Sequence, residues 1–198
     1  MDQFTSEIKP EDNSEKDPKK GESAQSFWRD MLETVLLAVA LFLVLNTITS
    51  RVRVYNISME PTLNQGYLLV VNKLAYKIGE PKHGDIIVFH YEGNKDQDYI
   101  KRVIGLPGDT VKVSNGTVEV NGTQLLEPYL SAPPAYEGTW TVPESSLFVL
   151  GDNRNSSSDS HDWGFVNQDW VVGKAILVYW PLDQIRLLSG PDLVNAAP

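Results

Sequence analysis

Cysteine is absent from this sequence, and its basic residues are outnumbered by acidic ones. Without cysteine the chain can form no disulfide, no thiolate nucleophile and no cysteine-ligated metal site. This absence is compatible with either side of a membrane, so it does not indicate a compartment. The formal net charge is −9, and no local cluster of lysine and arginine stands out. Both features argue against a nucleic-acid-binding protein, and no nucleic-acid partner is expected.

Histidine is scarce as well, with three in 198 residues. A Ser-His-Asp triad is the usual means of activating a serine, and it needs a histidine beside a carboxylate. His83 falls at a predicted turn and His90 within a predicted strand. His161 has Asp159 and Asp162 nearby and is a nominal triad candidate. A serine activated by a neutral lysine needs no histidine, so both possibilities stay open at this point.

One long apolar segment lies near the N-terminus. Residues 1–26 are polar and rich in Asp, Glu, Lys, Ser and Pro, which predicts a disordered tail. Residues 31–49 have a helical pattern around an unbroken apolar run, and such a helix spans roughly 28 Å, close to the thickness of a bilayer core. A cleavable signal peptide and a buried core helix are the alternatives. The long acidic segment before the run and the lack of a second helix pattern favour an uncleaved anchor at 27–50.

The charges that flank the apolar run give an orientation. Lysines and one arginine between residues 16 and 29 precede it, and Arg51 and Arg53 follow it. The positive-inside rule places the N-terminus in the cytoplasm. We therefore expect a cytoplasmic tail at 1–26, a transmembrane anchor at 27–50 and an extracytoplasmic domain at 51–198.

The segment after the anchor has the pattern of a β domain. Short runs rich in β-branched and aromatic residues alternate with turn signals such as Asn-Gly and Pro-Gly-Asp. Residues 111–120 form the pattern of a hairpin, and the proline-rich segment 124–143 is expected to be a long ordered loop. The predicted strands cover residues 67–71, 86–91, 99–104, 110–113, 117–120, 147–150 and 175–180.

Lys101 stands out because it interrupts a largely apolar predicted strand. A lysine has a pKa near ~10.4, so about one molecule in a few thousand is neutral at pH 7. Burial favours the neutral form, which is a general base. The alternative is a strand lysine whose amine reaches solvent, and for Lys101 alone this is the commoner case. Ser58 lies in a short loop broken by Pro61, where a hydroxyl can point into a cleft.

Residues 151–164 (GDNRNSSSDSHDWG) form the densest polar stretch of the domain. A polar turn after a buried strand, with side chains capping backbone groups, explains such a stretch without any function. A metal-binding loop would also use many oxygens, but the spacing does not match D-x-[DN]-x-[DN]-G. No metal site and no cofactor are predicted.

Four stretches together resemble the bacterial type I signal (leader) peptidases. Residues 58–63 (SMEPTL) resemble the box that carries their nucleophile, and 84–89 (GDIIVF) resemble their next strand. Residues 99–109 (YIKRVIGLPGD) resemble the box that carries their catalytic lysine, and 151–164 resemble their last box. The stretches occur in the family's order, and the resemblance runs from residue 28 to about 180. It implies a mostly β, signal-peptidase-like fold, shared with self-cleaving repressors of the bacterial DNA-damage response.

The resemblance assigns roles by position. It implies that Ser58 is the nucleophile, that Lys101 is the general base, and that Ser157 hydrogen-bonds the lysine amine. Around them it implies a supporting polar network made of Asp152, Arg154, Asp159 and Arg102. For the substrate it implies one pocket for residue −1 and one for residue −3. The −1 positions are Met59, Leu63, Tyr99 and Ile100, and the −3 positions are Val88 and Leu69.

Two positions depart from the family's pattern. Asn56 stands where some members carry a serine that donates a hydrogen bond to the oxyanion. The NH₂ group of Asn56 can replace that donor, or Asn56 only holds the turn before Ser58. His161 stands where arginine is common, which leaves the partner of Asp159 open.

The implied function is that of a membrane-bound serine endopeptidase that removes signal peptides from exported preproteins. It would cut after small residues (Ala-x-Ala) through an acyl-enzyme and without a cofactor. The implied partners are the signal peptides and the lipid bilayer. The implied location is the plasma membrane, or the thylakoid membrane in a photosynthetic source. Two alternatives stay open: a Ser–Lys maturation protease of narrower specificity, and an inactive membrane-tethered β domain that only binds peptides.

Overall fold

The computed structural model of the chain describes residues 22–93, 96–188 and 190. The chain divides into two compact units, Met1–Val44 and Leu45–Pro198. Residues 1–21 of the predicted tail lie outside the described residues, as do residues 191–198 at the other end. The predicted tail is therefore untested over most of its length.

A single long helix, α1 (Glu22–Ile48), accounts for the described part of the first unit. The stretch Ser26–Ile48 is long and apolar enough to cross a membrane, since 23 helical residues span roughly 35 Å. The helix begins five residues before the predicted anchor, because Glu, Ala and Gln at 22–25 favour helix. It ends two residues earlier than predicted, because Thr49 and the residues after it pair with a neighbouring strand.

The second unit is built from twelve strands in the part of the chain that the structure describes. The first six are β1 (Thr49–Arg53), β2 (Leu68–Asn72), β3 (Ile86–His90), β4 (Asp98–Gly105), β5 (Thr110–Ser114) and β6 (Thr117–Val120). The remaining six are β7 (Thr123–Gln124), β8 (Gly138–Thr141), β9 (Ser146–Leu150), β10 (Val166–Asn167), β11 (Val171–Trp180) and β12 (Arg186–Leu187). Two short helices, α2 (Ala75–Ile78) and α3 (Ser160–Trp163), lie between strands, and single 3₁₀ turns occur at Tyr91–Gly93, Gln168–Trp170 and Leu182–Gln184.

These strands form two antiparallel sheets. The larger has the order β1-β2-β11-β3-β4-β9-β10, with β12 paired to β11. The smaller has the order β7-β6-β5-β8. The seven predicted strands are confirmed, and β11 shows the largest difference because it begins four residues earlier than predicted. The sequence missed five short strands, β1, β7, β8, β10 and β12.

The predicted loop 124–143 is partly wrong because it contains β8. That strand pairs with β5 across the smaller sheet. Its Trp140 packs on Phe148, with ring centroids 5.0 Å apart. A four-residue strand flanked by prolines gives little local signal, so its position depends on this tertiary contact.

Strand β4 joins the two sheets. Its residues 98–102 pair with β3, and its residues from Arg102 to Gly105 pair with β9. A short turn then leads directly into β5 of the smaller sheet. Within the described residues, β9 pairs with β4 only from Arg102 onward. The edge of β4 that faces β9 is therefore without a neighbouring strand at Lys101.

The larger sheet is buried on both faces. Alternate residues of a strand point to opposite faces, and on one face Leu69, Val88 and Ile100 pack together. On the other face Phe89 and Val103 pack in a separate cluster. A third cluster fills the smaller sheet. Strands β3 and β4 are therefore packed on both faces, which restricts the movement of the side chains that project from them.

The long loop after β7 is fixed by a buried ion pair between Arg154 and Glu127. The Nη2 of Arg154 lies 2.5 Å from the Oε1 of Glu127, and Nη1 lies 2.8 Å from Oε2. The two side chains are 0 % and 7 % exposed. The Tyr129 hydroxyl donates a third hydrogen bond to Glu127 at 2.7 Å. The pair ties the loop to the polar stretch after β9.

Replacing Glu127 by alanine should destabilise the domain strongly. The change would leave the Arg154 guanidinium buried without a counter-charge, and losing one partner of a buried ion pair costs about 3–5 kcal/mol. Urea unfolding of the full chain, followed by tryptophan fluorescence, measures the free energy of unfolding. Glu144→Ala, at an exposed position, is the matched control and should change it by about 0.5 kcal/mol or less. Equal stabilities for the two variants would contradict this account of the loop.

Candidate active site

Ser58 and Lys101 meet although 43 residues separate them along the chain. The Lys101 Nζ lies 2.8 Å from the Ser58 Oγ, and both residues are buried. Ser58 sits in a turn after β1 in which the Glu60 amide donates to the Ile57 carbonyl at 3.1 Å. Lys101 projects from β4, whose pairing with β3 sets it opposite Ile87. The two side chains thus come from two well-anchored elements.

Burial lowers the pKa of Lys101 to about 8, and the negative charges of Asp159 and Asp152 oppose this shift. At pH 7 about one molecule in ten then has a neutral amine, against about one in a few thousand for an exposed lysine. Lys101 is 2 % exposed, so the alternative of an amine that reaches solvent is wrong. A partly neutral amine beside a hydroxyl can accept the hydroxyl proton.

Asn56 contacts the same serine from the other side. In the structure its Oδ1 accepts a hydrogen bond from the Ser58 Oγ at 2.8 Å and one from the Ser58 amide at 3.3 Å. The amide oxygen of Asn56, and not its NH₂ group, therefore faces the serine. This contact orients the hydroxyl between Asn56 and Lys101.

Arg102 and Asp152 form a buried bidentate ion pair, with N···O distances of 2.8 and 2.6 Å. The remaining Nη1 of Arg102 donates to the Gly84 carbonyl at 2.9 Å. The guanidinium also lies 4.0 Å from the centre of the Tyr129 ring. Since Asp152 comes two residues after β9, this pair fastens the polar stretch to the strand that carries Lys101.

Sequence reasoning missed Glu127 and Tyr129, which complete this network from the long loop. Arg154 was expected in the supporting network, and Glu127 is its carboxylate partner. A buried arginine needs a carboxylate partner, so a buried Arg154 would have indicated that a glutamate or aspartate lies beside it. The loop offers two, Glu127 and Glu137, and nothing in the local pattern distinguishes them.

Ser157 does not make the hydrogen bond to the Lys101 amine that the resemblance implies. Among the described residues its buried Oγ has no hydrogen-bond partner. The Lys101 amine donates to Ser58 instead. Ser157 packs against Gly151, where an added Cβ would lie 2.2 Å from the Ser157 Oγ and 2.4 Å from the Ser58 carbonyl oxygen. Only glycine at 151 lets the polar stretch come this close to Ser58.

His161 is the partner of Asp159 that the sequence left open. Its Nδ1 lies 2.7 Å from the Asp159 Oδ1. The other oxygen, Oδ2, accepts the Gly151 amide at 2.8 Å. Asp159 also caps the short helix α3, whose first turn contains His161.

The structure does not support a histidine-based triad. Within the described residues, the side chains that hydrogen-bond the Ser58 Oγ are Lys101 and Asn56. The histidines lie beside carboxylates at 2.7–3.2 Å, in the pairs His83–Asp109, His90–Asp98 and His161–Asp159.

Five of the six predicted substrate positions lie in one buried cluster. These positions are all apolar and buried: Met59, Leu63, Leu69, Val88 and Ile100. Tyr99 is the exception, because neighbouring residues of a strand point to opposite faces. Its ring stacks on Phe89, 5.8 Å away, in the cluster on the other face. Tyr99 lies on the same face of β4 as Lys101 and lines the groove described next, so its assignment to the −1 pocket stays a prediction.

A groove of about 410 Å³ opens between β1 and the segment that leads into β4. Its lining includes Arg53, Asn56, Asp98 and Tyr99. Strand β1 is the end strand of the larger sheet, and β4 has its open edge here. Two strand edges with unpaired backbone groups flanking a groove are suited to bind an extended peptide.

Comparisons with known proteins by sequence and by structure find members of one family. A sequence model of the family described as "Signal peptidase, peptidase S26" matches residues 28–180. A probable signal peptidase I-2 of Synechocystis sp. is 42% identical over 178 residues, 86% of this chain and 82% of that protein. The signal peptidase I of Leptolyngbya laminosa is 43% identical over 169 residues, 81% and 83% of the two chains. A solved signal peptidase I of Enterococcus faecalis is 38% identical, with a TM-score of 0.44, over 49% of this chain and 97% of that one.

Lys101→Met should stabilise the fold near neutral pH. The folded pKa is about 8 against 10.5 for an ordinary lysine, so the folded chain binds fewer protons than the unfolded chain between these pH values. Wild-type stability should therefore rise with pH through this window. Below it, the buried charge costs about 3 kcal/mol. We expect the variant to exceed the wild type by up to that amount at pH 7 in urea unfolding, and the difference to shrink as pH rises.

The matched control is Lys112→Met on strand β5, where the side chain is exposed. Its stability difference from the wild type should be small and should not vary with pH. A Lys101→Met variant less stable than the wild type at pH 7 would show that the burial of this amine carries no penalty.

Proposed function

This chain belongs to the signal peptidase family, peptidase S26, and on that premise we propose that Ser58 and Lys101 form its catalytic dyad. The chain is a type I signal peptidase, a serine endopeptidase that removes signal peptides. The observation that carries the dyad is the 2.8 Å contact between the Lys101 amine and the Ser58 hydroxyl. The lowered pKa of Lys101 supports the role of base at neutral pH.

In the first half of the reaction the Ser58 Oγ attacks the carbonyl carbon of the scissile peptide bond. Lys101 accepts the hydroxyl proton as the new C–O bond forms. The tetrahedral intermediate collapses as the C–N bond breaks, and the protonated Lys101 returns the proton to the leaving amine of the mature protein. The signal peptide stays attached to Ser58 as an ester.

In the second half water replaces the amine. Neutral Lys101 takes a proton from a water molecule, which attacks the ester carbonyl. Collapse of this intermediate breaks the C–O bond to Ser58, and the proton passes from Lys101 to the Ser58 Oγ. The signal peptide leaves as a carboxylic acid and the dyad is restored.

The negative oxygen of each intermediate needs hydrogen-bond donors placed in advance. The backbone N–H of Ser58 is one candidate, and the side chain of Asn56 is the second. In the structure the Asn56 Oδ1 accepts the Ser58 amide. A half-turn of this side-chain amide would release the Ser58 N–H and direct the Asn56 NH₂ group toward the oxyanion.

The substrate would bind in an extended conformation in the groove between β1 and β4, with backbone hydrogen bonds to the open edges. Among the residues proposed for the −1 and −3 sites, Met59, Leu63 and Leu69 are at most 1 % exposed. A shallow site of this kind suits alanine at both substrate positions. This is the basis for proposing cleavage after Ala-x-Ala.

We further propose the membrane arrangement that the flanking charges predict. Helix α1 would be the single span, with the N-terminus in the cytoplasm and the catalytic unit on the extracytoplasmic face. The membrane would be the plasma membrane, or the thylakoid membrane in a photosynthetic source.

Ser58→Ala and Lys101→Met should each abolish cleavage of a preprotein by the full-length chain in detergent. Residues of one catalytic unit are not additive, so the double variant should be no worse than either single one. The new N-terminus of the mature protein is sequenced to verify the cleavage position.

Lys112→Met is the control for the loss of a lysine and should cleave at the wild-type rate. Circular dichroism establishes that each variant is folded. Substantial activity in Lys101→Met would remove the lysine from the mechanism.

Selectivity at residue −1 should be strong. A peptide with Phe at −1 should be cut with a kcat/KM lower by about 5- to 150-fold than its Ala counterpart. A ring needs side chains of the buried cluster to move, and such overpacking typically costs about 1–3 kcal/mol. Steady-state kinetics on the two peptides measures the ratio.

The matched control is the same peptide with Phe at −2. Alternate residues of an extended chain point in opposite directions, so this ring should face away from the pocket and leave kcat/KM within about threefold. Equal cleavage of the Ala and Phe peptides at −1 would show that the pocket lies elsewhere.

A further inference from the structure

The groove lies between two walls, β1 with the residues that follow it and the start of β4 with the residues that precede it. From β1 through β2, β11 and β3 to β4, each strand pairs antiparallel with the next. Four reversals restore the starting direction, so the two walls run parallel to each other. Both run toward the dyad, since Ser58 follows β1 and Lys101 lies on β4. With residue −1 at the dyad and the residues before it in the groove, a substrate would run parallel to both walls.

The backbone of β1 alternates between the neighbouring strand and the groove. The Val54 amide donates to the Tyr67 carbonyl at 2.9 Å, and the Val54 carbonyl accepts the Gly66 amide at 2.8 Å. In an antiparallel pair, every second residue exchanges both of its hydrogen bonds with the neighbouring strand. Arg53 and Arg51 are the alternate residues, so their backbone groups point away from β2 and toward the groove. A bound peptide would therefore pair with the backbone of these two arginines.

The side chains of β1 alternate in the same way. Val52 and Val54 point inward, into the buried cluster that also contains residues proposed for the −1 and −3 sites. Arg51 and Arg53 are exposed on the opposite, outer face. The Cζ of Arg53 lies 5.8 Å from the centre of the exposed Tyr55 ring. Among the ion pairs of the described residues, none includes either arginine, so both charges are available to a ligand.

The opposite wall has an aromatic ring on its outer face. Tyr99 lines the groove there, and the neighbouring Ile100 points inward. Asp98 alternates with Tyr99 and lies beside His90 of β3, with 3.2 Å between the Asp98 Oδ1 and the His90 Nδ1. Asp96 precedes β4 and is the lining residue of this wall furthest along the chain from the dyad. The outer rim of the groove near the dyad is therefore formed by an arginine and a tyrosine.

We propose that Arg53 and Arg51 determine specificity at the substrate positions whose side chains point outward, −2 and −4, where they favour acidic side chains and disfavour lysine. Side chains of an extended peptide alternate, so a substrate with −1 and −3 pointing inward has −2 and −4 on the outer face. Arg53 ends β1 and is nearer to Ser58 along the chain, so it faces −2, and Arg51 faces −4. The inference rests on the proposed function, because it takes −1 and −3 to occupy the inner sites.

The size of the effect follows from the exposure of the two arginines. An ion pair at an exposed site is weak, so the arginines bias the choice of substrate without excluding any. We expect kcat/KM to be at least about threefold higher with Glu than with Lys at −2, with Gln between them. Salt screens exposed charges, so this ratio should fall toward one at 1 M salt, where the Debye length is about 3 Å.

The test measures kcat/KM of the full-length chain in detergent on three Ala-x-Ala peptides that differ only in Glu, Gln or Lys at −2. The wild type should prefer them in that order, and Arg53→Glu should invert the order. Structural damage would lower all three rates by the same factor, so inversion identifies a direct charge effect. The matched control is Lys112→Glu on β5, which makes the same charge change at an exposed position of the smaller sheet and should keep the wild-type order.

A second series with the same residues at −4 tests Arg51→Glu in the same way. A readout independent of turnover is the fluorescence anisotropy of the labelled −2 peptides with Ser58→Ala and with Ser58→Ala combined with Arg53→Glu. The affinities should follow the same two orders, and thermal melting verifies that each variant is folded.

An unchanged order and ratio of the −2 peptides in the wild type and Arg53→Glu, in rates and in affinities, would overturn the inference and leave the dyad intact. Failure of the proposed function would be visible separately, as a wild type that cleaves none of the peptides. The anisotropy series would then still decide whether the arginines select acidic side chains.

Discussion

The Lys101 amine is almost completely excluded from water, yet two carboxylates lie near enough to hold its pKa up. Each of them has another partner: Asp152 is paired with the Arg102 guanidinium, and Asp159 is hydrogen-bonded to the His161 ring. Burial lowers the pKa of the lysine although both carboxylates act in the opposite direction, and the amine makes its hydrogen bond to Ser58. A carboxylate that already has a partner is less available to form an ion pair with the lysine.

The backbone brings these groups together by placing them at the ends of regular elements. Strand β4 carries both Lys101 and Arg102, and the polar stretch begins directly after β9, its neighbour in the sheet. Ser58 follows β1 at the end of the same sheet. The geometry of the proposed dyad is therefore set by strand pairing, and Glu127 in the loop after β7 completes the polar network through its ion pair with Arg154.

The sequence predicted the elements whose signal is local. The seven strands with clear alternation, the apolar helix and the polar stretch could all be predicted, and the family resemblance placed Ser58 and Lys101 together. It could not predict β8 or the partner of Arg154, because both depend on contacts between distant residues. The resemblance also could not show that Tyr99 and Ile100 point to opposite faces of β4, because it assigns residues by position along the chain only.

The open edges of β1 and β4 have a consequence for the protein outside its reaction. Unpaired strand edges can pair with any extended chain, including a second copy of the same protein, which leads to aggregation. Charged side chains protect such edges, and Arg51, Arg53 and Asp98 line this groove. Strand β1 is also short, with five residues. The edge that is proposed to accept the peptide cannot be covered by another element. Its protection against self-association therefore depends on charge and on the short length of β1, and replacing these arginines by apolar residues would promote self-association.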